Sequence, residues 1–216
     1  MKSRKDSHPK RWWVLTPTLG ICLFGILYGM AACQYPGGSN FDKTATEFSW
    51  QHNYWCDFLG NTGKNGAINH ARPIALLAMV VLGSSLSIFW FLLPSLYSTQ
   101  NRYVQLSRWA GMLSMVIILF IGTPYHDLVM NIAGGVGLIA LVATFVVLYQ
   151  SRLFTLISFG LFCIVLIGLN NYIYYSDQYI LYLPVIQKIT FMFFLLWIVL
   201  INRKLYQKAS LTSLPT

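Results

Sequence analysis

Six apolar runs, each near the length a helix needs to cross a bilayer, constrain this chain more than any other feature. They fall at 12–33, 73–97, 107–122, 128–149, 154–174 and 184–201. A spanning helix takes about 20 mostly apolar residues, and no soluble fold of this size buries so many such runs. The expected fold class is therefore all-α: a bundle of six transmembrane helices forming a single integral membrane domain over residues 1–216. The first run follows a basic head and ends in Ala31-Ala32-Cys33, similar to a lipoprotein cleavage box. It is long enough to span and is read as a helix rather than a removable leader.

The formal charge of +9 raises the question of nucleic acid. The positions of the charges exclude it, because they gather at the ends of the apolar runs, as in membrane proteins inserting with a fixed orientation. With the N-terminus inside, eleven basic residues fall on the inner side: Lys2, Arg4, Lys5, Lys10, Arg11, Arg102, Arg108, Arg152, Arg203, Lys204 and Lys208. Four fall outside: Lys43, Lys64, Arg72 and Lys188. The bias places both termini in the cytoplasm and the chain in a plasma (inner) membrane. Acidic residues and histidines distribute the opposite way, with only Asp6 and His8 inside and Asp42, Glu47, Asp57, Asp127, Asp177, His52, His70 and His126 outside. Any chemistry belongs to the outer face.

The longest outer connection runs from Gln34 to Arg72 and is the polar centre of the sequence. Pro36-Gly37-Gly38-Ser39-Asn40 is turn chemistry. Thr44-Ala45-Thr46-Glu47 fits a capping box, predicting a short amphipathic helix over 45–59 that stops at Gly60. Trp50, Tyr54, Trp55 and Phe58 would share its apolar side, and Asn53 and Asp57, four apart, would share another. Such a helix lies along the membrane interface.

Asp57, His70, His126 and Asp127 are the candidate catalytic residues, since histidine carries protons near neutral pH and carboxylates orient it. The tight 123–127 hairpin would bring His126 back over Asp57. Asn53, Asn61, Asn69, Arg72 and Asn131 are candidate ligand contacts. A plainer reading has the same residues cap helix ends and hydrogen-bond lipid headgroups. Asn131, Asn170 and Asn171 lie near membrane depth, where such groups join helices or line a polar pocket. None of the histidines has the spacing of a metal motif, so a metal is left open and no cofactor is named. Cys33 and Cys56 both fall at the outer end of the first helix, where an oxidising compartment allows a disulfide.

One resemblance rests on a few of these residues. A first span, a loop carrying Asn53-x-x-x-Asp57-x-Leu59-Gly60, a second span and a Pro124-x-His126 hairpin before the fourth resemble the DUF998 family of six-helix membrane proteins. That family is grouped with Frag1/DRAM-like proteins. Its members carry an N-x-x-S-D-L-G-type segment at the end of this loop. Here Cys56 stands in place of the serine, and Phe58 is inserted before Leu59-Gly60. The resemblance implies a six-helix fold and points toward a membrane lipid as partner. A protein acting on or binding a lipid at its outer face is the resulting expectation. A non-catalytic assembly or ligand-binding protein is the alternative, and a small transporter is a third. The sequence sets no oligomeric state.

Overall fold

The computed structural model describes residues 11–96, 101–176 and 178–212. The charges read at Lys2 to Lys10, with Asp6 and His8, and at Asp177 lie outside the described residues.

Six α-helices are present among the described residues: α1 Thr16–Gln34, α2 Arg72–Leu92, α3 Arg102–Ile118, α4 His126–Gln150, α5 Phe154–Ser176 and α6 Leu183–Thr212. Short 3-10 turns at Arg11–Leu15, Leu93–Leu96 and Ile180–Tyr182 extend α1, α2 and α6. No strand occurs among the described residues, only an isolated bridge between Thr62 and Ile68. Pro17 and Pro73 sit in the first turns of α1 and α2, where a missing N–H costs nothing. Asn101 caps α3, its Oδ1 accepting from the Val104 N–H at 3.0 Å.

Among the described residues, five helical stretches are long and apolar enough to cross a membrane: Trp12–Gln34, Arg72–Ser95, His126–Gln150, Phe154–Ser176 and Ile180–Ser210. This is the architecture of a multi-pass membrane protein. The remaining helix, α3, has 17 residues and carries Arg102, Gln105 and Arg108. It differs from the expected 107–122 span at both ends. Asn101 starts it earlier, and residues beyond Ile118 tighten into successive turns, Phe120 N–H bonding Ile117 O at 3.1 Å.

Polar side chains tie the helices together at stated heights. The Asn202 amide in α6 donates to Val14 O at 2.8 Å and to Thr18 Oγ1 at 2.9 Å, joining the lower part of α6 to the start of α1. Asn101 Nδ2 reaches Gln150 Oε1 at 2.8 Å, joining the start of α3 to the end of α4. Buried Trp197 donates to Leu156 O at 2.7 Å, and Ser114 Oγ donates to Ala133 O at 2.8 Å. Asn170 donates to Thr190 Oγ1, so it joins helices as one of its two readings held, while Asn171 bonds Ile167 O of its own helix. One end of the bundle therefore gathers the starts of α1, α3 and α5 with the ends of α4 and α6. The other end carries the 35–71 loop. Outward faces are rich in half-exposed apolar side chains such as Leu19, Leu77, Leu138 and Val165, a surface that suits lipid rather than water.

Candidate functional site

The 35–71 loop is folded, but not as the amphipathic helix over 45–59 that the sequence predicts. The reason lies in competing side-chain hydrogen bonds. Asp42 Oδ1 captures both the Thr44 N–H at 2.8 Å and the Thr44 hydroxyl at 2.7 Å, so Thr44 cannot cap a helix. Ser39 Oγ accepts from the Phe41 and Asp42 N–H groups. Asn53 Oδ1 accepts from the Ser49 N–H at 2.9 Å. Such local bonds offer the backbone a non-helical path. Helical geometry survives only as one 3-10 turn, Trp55–Leu59, and there Asp57 closes the entry by accepting from the Tyr54 N–H at 3.0 Å.

Asn53 and Asp57 form the heart of this loop. Asn53 is fully buried and Asp57 nearly so. Asn53 Nδ2 donates to Gly38 O at 2.7 Å and to Asp57 Oδ2 at 2.9 Å. Lys64 pairs with Asp57 Oδ1 at 3.5 Å. Lys188 enters from the first turns of α6: its buried ammonium donates to Asn53 O and, at 3.0 Å, to Pro184 O. It also lies 5.7 Å from the centre of the Phe48 ring. The loop is thus bolted to a helix 135 positions away. Gly38 holds φ near +76°, and a Cβ there would stand 2.2 Å from Asn65 N, so only glycine fits where the two arms of the loop meet.

Asn69 does similar work at the exit. Its Nδ2 donates to Phe58 O at 3.0 Å and Gly60 O at 2.9 Å, and its Oδ1 accepts from the Ala71 N–H at 3.1 Å. Arg72 Nε donates to Leu59 O at 3.0 Å. These bonds seat the loop on the N-terminus of α2.

The candidate catalytic residues do not converge. Asp57 and His126 share no hydrogen bond or ion pair, because each is already satisfied locally. Asp57 is held by Asn53, the Tyr54 N–H and Lys64, whereas His126 Nδ1 faces Asp127 Oδ1 of the adjacent residue at 3.1 Å. Asp127 is 84% exposed at its side chain. His70, Asn61 and Asn131 are exposed, and Arg72 is half-buried. Among the described residues, no three His, Cys, Asp or Glu side chains come together in a way that could hold a metal ion. Cys33 and Cys56 are free thiols. The residue that sequence reasoning used only as an outer charge is Lys188. Its signal was available: a lysine four residues inside an apolar helix must find a partner.

Burial pushes the Cys56 thiol up to about 12, with the neighbouring Asp57 charge adding to the effect. Burial also raises Tyr54 to about 12 and lifts Tyr35 above its ordinary value. All three favour the protonated form in the folded loop. The folded state then holds more protons than the unfolded one above pH 9, so stability falls as pH rises from about 9 to about 12. The loop should accordingly detach in alkali, seen as faster proteolysis between those values, and Cys56→Ala should shrink that dependence. At neutral pH Cys56 should resist maleimide while Cys33, exposed at the end of α1, reacts.

The underside of the loop is aromatic. Trp55 packs against Tyr28 at 5.2 Å, Phe191 at 5.1 Å and Phe24 at 6.0 Å between ring centres. Phe58 meets Tyr28, Tyr35 and Phe48. Beside this cluster is an apolar pocket of about 220 Å³, lined by Gly25, Tyr28 and Gly29 of α1, Trp50, Trp55 and Phe58 of the loop, and Met192 of α6. No protein-family model matches the chain, and no curated protein or solved structure matches it.

Proposed function

We propose that this chain is a six-span plasma-membrane protein whose loop forms an outer cap, and that it binds a membrane lipid without transforming it. The observation that supports binding over catalysis is the state of Asp57. Its oxygens are committed to Asn53, the Tyr54 N–H and Lys64, and among the described residues no histidine hydrogen-bonds or pairs with it. The polar groups of the loop work on the loop itself. Its aromatic groups face the helices and the pocket.

The orientation belongs to the same proposal. The basic residues Arg102, Arg108, Arg152, Arg203, Lys204 and Lys208 all sit at the end of the bundle away from the loop, which supports a cytoplasmic assignment of that end and of both termini. Counting α3 as a sixth span is supported by the alternation this gives, since its start lies with the end of α4. Membership of the DUF998-like group is likewise a proposal, supported by Asn53 and Asp57 in the first loop and Pro124-x-His126 before α4.

Native mass spectrometry of the detergent-extracted full chain tests the reading. The expected result is retained phospholipid that survives in His126→Gln and Asp127→Asn and is depleted in Asn53→Ala, where the cap loosens. A bare protein would contradict lipid binding. Turnover of added phospholipid that disappears in His126→Gln would contradict the non-catalytic reading.

A further inference from the structure

The pocket between α1, α6 and the loop has a wall composition and a depth that name its occupant. Gly25 and Gly29 lie nine and five residues before the end of α1, or ~14 and ~8 Å below it at 1.5 Å per residue. The hydrocarbon of one leaflet is ~15 Å thick. The pocket therefore opens at acyl-chain depth in the leaflet on the loop side. Its lining is aromatic rings, glycine and methionine, and Met192 is 63% exposed at its edge. An apolar cavity of roughly 150 Å³ suffices for benzene, so 220 Å³ takes a stretch of a methylene chain.

A second observation concerns hydrogen bonding. Trp55 forms part of the wall, and its Nε1 is buried without an acceptor among the described residues. Buried indole N–H groups ordinarily find a partner. Tryptophan also sits by preference at the level where headgroups meet chains. That level is where a glycerolipid places its ester carbonyls.

We propose that the pocket holds one acyl chain of an ester-linked membrane glycerolipid, and that a small turn of the Trp55 ring, whose Nε1 is shut off from solvent in this structure, lets it donate to the ester carbonyl. The inference rests on the lipid-binding reading and adds the site, the lipid class and the contact. The protein side of the site is fixed by the cap, since Trp55 and Phe58 are neighbours of Asp57 in the 3-10 turn.

The glycines supply a variant that blocks the pocket without straining the fold. A Cβ at Gly25 or Gly29 meets nothing within 4 Å, so Gly25→Leu extends into open space, and leucine favours the helix more than glycine does. The experiment uses the full chain in nanodiscs with a phosphatidylglycerol bearing a diazirine near the middle of one chain. In the wild type, cross-links should map to Tyr28, Met192 or the 50–58 segment. Gly25→Leu should remove most of them while leaving thermal unfolding unchanged. Unlabelled diacyl phosphatidylglycerol should compete roughly 2- to 10-fold better than its dialkyl ether analogue, as one net hydrogen bond implies. Trp55→Phe should keep the cross-links and abolish that preference. Equal competition by ester and ether lipids would overturn the carbonyl contact while leaving the pocket occupied. Cross-links unchanged in Gly25→Leu would overturn the pocket as the site. A change in oligomeric state in Gly25→Leu, with no change in cross-linking, would assign the face to a second copy instead.

Discussion

Asn53→Ala should release the cap while leaving the helical bundle in place. The side chain bonds Gly38 O, Asp57 Oδ2 and the Ser49 N–H; Asp57 Oδ2 keeps the Tyr54 N–H when it is lost, but Gly38 O and the Ser49 N–H are left without a partner. Each such group left unsatisfied costs about 1–3 kcal/mol, so the local penalty for the two is roughly 2–6 kcal/mol. That is a large part of the 5–15 kcal/mol by which a typical domain is stable. The same change weakens the grip on Lys188, because the Asn53 carbonyl shifts with the backbone. A protease added to the loop side of reconstituted vesicles should cut within residues 39–58 at least tenfold faster than in the wild type. Helical circular dichroism should hardly change, since the 35–71 loop contributes only one 3-10 turn.

Lys188→Glu should do more damage still. It removes the cation that bridges Asn53 O and Pro184 O and puts a carboxylate in buried surroundings within electrostatic reach of Asp57. Two like charges then share a site whose remaining cation, Lys64, is already paired and partly solvated. Breaking a buried charge arrangement costs about 3–5 kcal/mol, and like-charge repulsion adds to that. The expected outcome is low yield of folded protein and a lowered midpoint in thermal scanning fluorimetry. Lys188→Met is the control: it keeps volume, adds no charge and loses the two ammonium hydrogen bonds to Asn53 O and Pro184 O, so it should cost less than the glutamate variant. A glutamate variant as stable as the methionine variant would mean that the Lys188 position is open to water.

These two residues also show where the sequence is legible and where it stops. The apolar runs announce helices because a continuous hydrocarbon surface is a local property of the chain, and Pro17, Pro73 and Asn101 mark three of the starts. The end of α6 was read at 201, but the polar stretch after it continues as helix to Thr212. Loss of hydrophobicity ends a span, not a helix. The loop was misread for a different reason. Thr44 to Glu47 does match a capping box, but the contest with Asp42 for Thr44 is decided by geometry that spacing does not carry. Asn53 and Asp57 were singled out correctly as a pair four residues apart. Their four-residue spacing survives as a direct bond of 2.9 Å even without a helix. Lys188 lies 135 positions from Asn53, and nothing in the local pattern joins them. No hydrogen bond or ion pair joins Asp57 to His126; Asp57 pairs with Lys64 and His126 with Asp127.

Hydrogen exchange at individual amides of the loop tests most directly whether its polar residues hold a cap on the bundle. The Ser49 and Tyr54 N–H groups are bonded to the side chains of Asn53 and Asp57 rather than to backbone. If these residues clamp the loop, both amides exchange in the wild type with protection approaching that of the α2 core, and Asn53→Ala erases the protection at both. Exchange at the rate of an open surface loop in the wild-type protein would contradict the clamp and return Asn53 and Asp57 to the list of residues free to act on a substrate.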